Sequence, residues 1–135
     1  MEKIEHIGIA VKDLTSANVL FEKLLGVSHY KIEEVPSEGV RTSFFRSGPN
    51  KIELLEATDP KSPIAKFLDK KGEGIHHIAF AVEDLEVEIK RLEGESFVIL
   101  PGFPKKGADN KQVAFLHPKG TNGVLVELCQ DIKAS

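Results

Sequence analysis

His6-Ile7-Gly8-Ile9-Ala10-Val11-Lys12-Asp13-Leu14 recurs as His77-Ile78-Ala79-Phe80-Ala81-Val82-Glu83-Asp84-Leu85, with six of nine positions identical at an offset of 71 residues. A second echo follows in the same order. Lys51-Ile52-Glu53-Leu54-Leu55 is similar to Leu125-Val126-Glu127-Leu128-Cys129, at an offset of 74. Two echoes in near-register indicate a duplicated module rather than one chance match. The expected boundaries are residues 4–57 for the first module and 75–130 for the second.

Each module reads locally as β-α-β-β-β. Residues 4–11 are β-rich and lead to Asp13, a good helix N-cap. Ala17, Leu20, Phe21, Leu24 and Leu25 then recur at helical spacing until Gly26. Strands are expected near 28–34, 40–46 and 51–56. The second module repeats the plan with a strand at 75–82 and Asp84 as N-cap. Its helix carries Leu85, Ile89 and Leu92 and is expected to stop at Gly94. Strands are expected near 96–100, 111–117 and 123–129. Between the modules, Ser62-Pro63 is an N-cap followed by a proline suited to the first helical turn, so a connecting helix is expected over 62–71. No Gly/Ser linker or low-complexity tract separates the halves, so a single domain spanning 1–135 is expected.

Side chains alternate faces along a strand. Ile7, Ile9 and Val11 form one large apolar face, suited to packing on the helix, and Ile78, Phe80 and Val82 do the same in the second copy. His6, Gly8 and Ala10 share the opposite face, as do His77, Ala79 and Ala81. Both histidines are followed by small residues that leave room for a cavity. Glu53 and Glu127 sit on the polar face of otherwise aliphatic strands. A carboxylate there is expensive to bury without a partner or a cation. Two imidazoles and two carboxylates make a suitable set for a divalent metal if pseudo-twofold symmetry brings the faces together. Taken singly, a strand histidine is more often a hydrogen-bonded structural residue, and a strand glutamate a solvated edge residue; the repeat is what sets these four apart.

Other reactive residues carry less. His76 has helix-facing parity, and His117 precedes Pro118 at a strand end; both read as structural. Cys129 shares parity with Glu127 but has no second thiol or evident base, which suits an inert buried thiol. Lys105, Lys106 and Lys119 read as solvated cations able to contact substrate phosphates.

Composition excludes several classes of function. The chain has 135 residues, 41% hydrophobic and 29% charged, enough for a packed core. A formal net charge of −3 argues against wholesale binding to nucleic acid or an anionic membrane. One cysteine rules out an intrachain disulfide framework. No apolar run approaches the ~20 residues of a membrane span, and the start, MEKIEH, lacks a signal-peptide core. A soluble, cytoplasmic protein is the expectation.

The two H-I-x-x-A-V-x-D-L segments, with Phe115-Leu116-His117-Pro118-Lys119 and Gly123-Val124-Leu125-Val126-Glu127-Leu128, resemble the vicinal oxygen chelate superfamily, whose members share the glyoxalase fold. Ser62-Pro63-Ile64-Ala65-Lys66-Phe67-Leu68 and Gly74-Ile75-His76-His77-Ile78-Ala79 resemble its branch of epimerases acting on methylmalonyl-CoA. The resemblance implies an α+β fold of two paired βαβββ modules forming an open, U-shaped barrel. It implies a divalent metal held by His6, Glu53, His77 and Glu127, with Co²⁺ foremost and Mn²⁺, Ni²⁺, Zn²⁺ or Mg²⁺ as options. The first carboxylate is often Gln in relatives; here it is Glu53. The activity implied is epimerisation of (2R)- and (2S)-methylmalonyl-CoA by proton abstraction alpha to the thioester, through an enolate stabilised by the metal. Glu127 is implied as catalytic base as well as ligand. The strand position that carries a second acid in some relatives reads Arg41-Thr42-Ser43 here, which leaves Glu38, Glu34 or a water for that role. The implied partners are an acyl-CoA substrate and a second copy in a homodimer. The scaffold also resembles glyoxalase I, which acts on a glutathione hemithioacetal, and the non-catalytic binding proteins of the bleomycin-resistance type.

Overall fold

The computed structural model describes residues 1–132. Its elements run β1 (Lys3–Ala10), α1 (Leu14–Leu25), β2 (Lys31–Val35), β3 (Val40–Ser47), β4 (Asn50–Ala57), α2 (Pro63–Lys71), β5 (Gly74–Ala81), α3 (Leu85–Gly94), β6 (Lys105–Lys106), β7 (Lys111–Leu116) and β8 (Val126–Asp131). The order bears out the α+β class and the two β-α-β-β-β modules. None of the helices among the described residues is long and apolar enough to cross a membrane.

The chain forms two compact units. One is His6–His76; the other joins Met1–Glu5 to the residues from His77 onward. In the first, the strand order is β2-β3-β4-β1. β1 runs parallel to β4, and β2, β3 and β4 form an antiparallel meander. In the second the order is β5-β8-β7-β6, again with one parallel pair, β5 with β8, and antiparallel neighbours beyond it. The N-terminal segment joins the second unit through the Glu2 N–H, which donates to the Ala81 carbonyl at 2.8 Å.

Each helix lies where its caps and apolar positions direct it. Asp13 accepts from the Thr15 N–H and Asp84 from the Val87 N–H, satisfying amides that the first turn leaves without helical partners. In the first unit Val11, Leu14, Ala17, Phe45 and Leu54 form the core beneath α1, with Ile9 and Phe21 packed against it. The opposite face of the same sheet carries Ala10, Val40 and Leu55, on which Ile64 of α2 packs. α2 therefore covers one end of that face only. The second unit packs Val82, Leu85, Leu92, Ala114, Leu116 and Leu128 around α3.

Several expectations are corrected. Leu20 and Leu24 do not face the core; they are 62% and 70% exposed, and Asn18 is buried instead. The Asp13 cap sets the helical phase so that Leu14, Ala17, Asn18, Phe21 and Leu25 point inward, and the apolar arc is wider than the contact. α3 does not stop at Gly94 but includes it, and the left-handed turn falls at Ser96, with φ +73°. Residues 96–100 do not form a regular strand. They make a single bridge, Ile99 to Leu116, flanked by hydrogen bonds from Leu100 to Phe115 and from His117 to Val98. Pro101 and Pro104, which lack an N–H, stop the ladder from extending, and pairing resumes only at the two-residue β6. The last strand begins at Val126 rather than 123, because Pro118–Thr121 forms a 3-10 turn followed by Gly123 at φ +83°.

Candidate metal and acid-base site

The four residues singled out by the repeat are all buried, and each unit builds its own imidazole–carboxylate pair. In the first unit, β1 and β4 pair so that Gly8 lies opposite Glu53. His6 stands two residues before Gly8 on the same face, and its Nδ1 is 3.1 Å from Glu53 Oε2. In the second unit Ala79 lies opposite Glu127. His77 stands two residues before Ala79, and its Nε2 is 3.0 Å from Glu127 Oε1. The register is the same in both: histidine, then a small residue, then the glutamate across a parallel ladder. Gly8 is buried and Ala79 is fully buried, each on the sheet face that carries its pair, where a large side chain has little room.

An equivalent aromatic backs each glutamate. Phe44 on β3 is directly opposite Glu53, and Phe115 on β7 is directly opposite Glu127. Phe44 is fully buried. Phe115 meets the His77 ring edge-on at 5.6 Å between centroids, with the planes at 83°. Both rings place apolar surface beside a glutamate, and the edge-on contact with Phe115 orients the His77 imidazole. Neither ring stands out in the sequence as a site residue, although the two repeat at the same offset of 71 residues as the histidines.

The donor chemistry fits a divalent cation. Neighbouring ligand atoms at bond lengths of about 2.0–2.2 Å and right angles stand roughly 3 Å apart, which is the separation within each pair. Imidazole nitrogens with carboxylate oxygens suit first-row divalent ions and Mg²⁺. Two buried carboxylates are also costly unless positive charge accompanies them.

The remaining candidates fall elsewhere. His76 packs its ring edge-on against Phe67 at 5.0 Å, a structural contact. His117 Nδ1 accepts from the Lys119 N–H and caps the following 3-10 turn. Cys129 is buried, and its Sγ lies 3.6 Å from the Phe80 carbonyl. Glu34 is placed against the acid role suggested for it. It pairs across the ladder with Arg41, on the face opposite to Phe44 and Glu53. Its Oε1 accepts from Arg41 Nη2 at 2.8 Å and Nε at 3.0 Å, and this hydrogen bond raises the guanidinium pKa further above its ordinary value. Glu38 is half-buried at the end of a 3-10 turn over Pro36–Glu38.

The fold and the matching family model define the class. Residues 5–115 match the model of the glyoxalase/bleomycin resistance protein/dioxygenase superfamily, and the chain belongs to that superfamily. Within it, the chain is 43% identical over 130 residues to the ethylmalonyl-CoA/methylmalonyl-CoA epimerase of Cereibacter sphaeroides, covering 95% of this chain and 97% of that one. The crystal structure of methylmalonyl-CoA epimerase from Mycobacterium tuberculosis superposes with a TM-score of 0.92 at 33% identity, over 97% of this chain and 89% of that one. A Streptomyces coelicolor methylmalonyl-CoA epimerase variant in complex with 2-nitronate-propionyl-CoA gives a TM-score of 0.92 at 31% identity, over 98% and 99%.

Proposed function

We propose that the chain is a methylmalonyl-CoA epimerase that works as one domain and interconverts the (2R) and (2S) thioesters at a single divalent-metal site. What supports this reading is that His6 approaches Glu53, and His77 approaches Glu127, across parallel ladders of the same register, in a chain 43% identical to an ethylmalonyl-CoA/methylmalonyl-CoA epimerase over nearly its full length. His6, Glu53, His77 and Glu127 would together hold the cation. When bound, that cation supplies Lewis-acid polarisation of the thioester and carboxylate oxygens, which lowers the barrier to enolate formation by several kcal/mol.

The chain's own groups do the proton work. Glu127 takes the C2 proton from one face and, for the opposite epimer, donates a proton to that same face, held in place by His77 at 3.0 Å and backed by Phe115. Inversion at C2 requires a proton delivered to the opposite face, and a bound water or Glu38 is left to supply it, since Glu34 faces away. Fully buried Phe44 beside Glu53 and half-buried Phe115 beside Glu127 limit the access of bulk water to the enolate.

The test is exchange of the C2 proton with solvent deuterium, followed by NMR, for methylmalonyl-CoA and, in parallel, for a glutathione hemithioacetal. Exchange is expected with the first and not with the second. Turnover of the hemithioacetal alone would replace the epimerase reading with a lyase.

A further inference from the structure

In the first unit the face that carries His6 and Glu53 continues into a cationic edge. Arg46 on β3 pairs directly with Lys51 on β4, and Lys51 pairs with His6 on β1. Adjacent strands are about 5 Å apart, so Arg46 starts roughly 10 Å across the sheet from His6, on the same face. Lys31 on β2 pairs with Phe44, which in turn pairs with Glu53. Three cations thus flank one side of the pair.

Two of them are held in place by rings. The Arg46 guanidinium stacks over Tyr30, with Cζ 4.4 Å from the ring centroid, and Lys31 Nζ lies 4.6 Å over Phe44. Tyr30 and Phe44 are themselves neighbours at 6.1 Å. Lys31 also has Glu33 at 3.5 Å. Arg46 is exposed, and among the described residues its guanidinium forms no ion pair and stacks on Tyr30. A stacked guanidinium keeps its outward N–H groups for an anion while losing little side-chain freedom on binding it.

We infer that Arg46, stacked on Tyr30 and flanked by Lys31 and Lys51, is the binding site for the phosphate groups of the acyl-CoA handle. The inference rests on the epimerase reading above. The metal-binding pair takes the acyl end of the substrate, and this edge takes its polyanionic end, which a thioester without phosphates does not have.

The experiment compares methylmalonyl-CoA with the methylmalonyl thioester of pantetheine, which lacks phosphate, in wild type, R46E and R46K. With the CoA thioester, R46E is expected to raise KM at least tenfold with kcat within twofold of wild type, and R46K to stay within about threefold. With the pantetheine thioester, all three proteins are expected to share one KM. Higher ionic strength should raise the wild-type KM for the CoA thioester severalfold more than that for the pantetheine thioester, whose one anionic group is the carboxylate. An R46E protein with wild-type KM for the CoA thioester, or one that loses the two substrates equally, overturns the inference while the epimerase reading stands. A wild type that turns over neither thioester overturns the epimerase reading, and the inference with it.

Discussion

At the scale of single residues, the site depends on side chains whose burial would be unfavourable without a shared purpose. Glu53 and Glu127 are 5% and 7% exposed, and His6 and His77 are 4% and 6% exposed. Removing one member of such a pair leaves the other buried and poorly matched. Glu127→Gln keeps the shape and removes the base, so it should cut C2 exchange by roughly 10²–10⁴-fold while circular dichroism and thermal melting stay near wild type. Exchange within a few-fold of wild type would reject Glu127 as the base. Gly8→Val tests the steric part of the account. The added side chain would occupy the face on which His6 reaches Glu53, and cation affinity should fall while the residues of the pair remain. The histidines and glutamates were legible in the sequence because the repeat marks them twice. Phe44 and Phe115 were repeated too, but an aromatic on a strand is ordinary core material, and only the cross-strand register shows that each stands opposite a glutamate.

At the scale of elements, caps and turns were the readable signals, and wherever a backbone position overrode a pattern the reading failed. Asp13, Asp84 and Ser62 each cap the helix that the sequence assigned to them. The strand expected at 96–100 failed because the ladder cannot run past two prolines, and the apolar run at Leu20 and Leu24 did not reveal which part of its arc would meet the sheet. Gly39 offers a direct test of the α2 connection. It has φ +62°, and a Cβ there would come within 2.9 Å of Ser62 Cβ and 3.0 Å of Asp59 Cβ. Gly39→Ala should destabilise the protein by more than about 1 kcal/mol, lowering the melting temperature by several degrees. Ser62→Ala removes the cap bond to the Ala65 N–H, at 3.1 Å, and should cost about 1 kcal/mol in the same assay. Melting curves unchanged by both substitutions would mean that this corner contributes little to stability.

At the scale of the whole molecule, duplication gives two units that each make the same pair from the same register, and the proposed chemistry needs both. The number of cations bound separates one shared site from two independent ones. The decisive measurement is titration of chelator-treated protein with Co²⁺, by calorimetry or by its visible absorption, on wild type, His6→Ala and His77→Ala. One tightly bound ion per chain is expected in wild type, lost in either variant together with C2 proton exchange. Two ions per chain, with each variant keeping one, would contradict it, as would stripped protein that exchanges the C2 proton at the full rate.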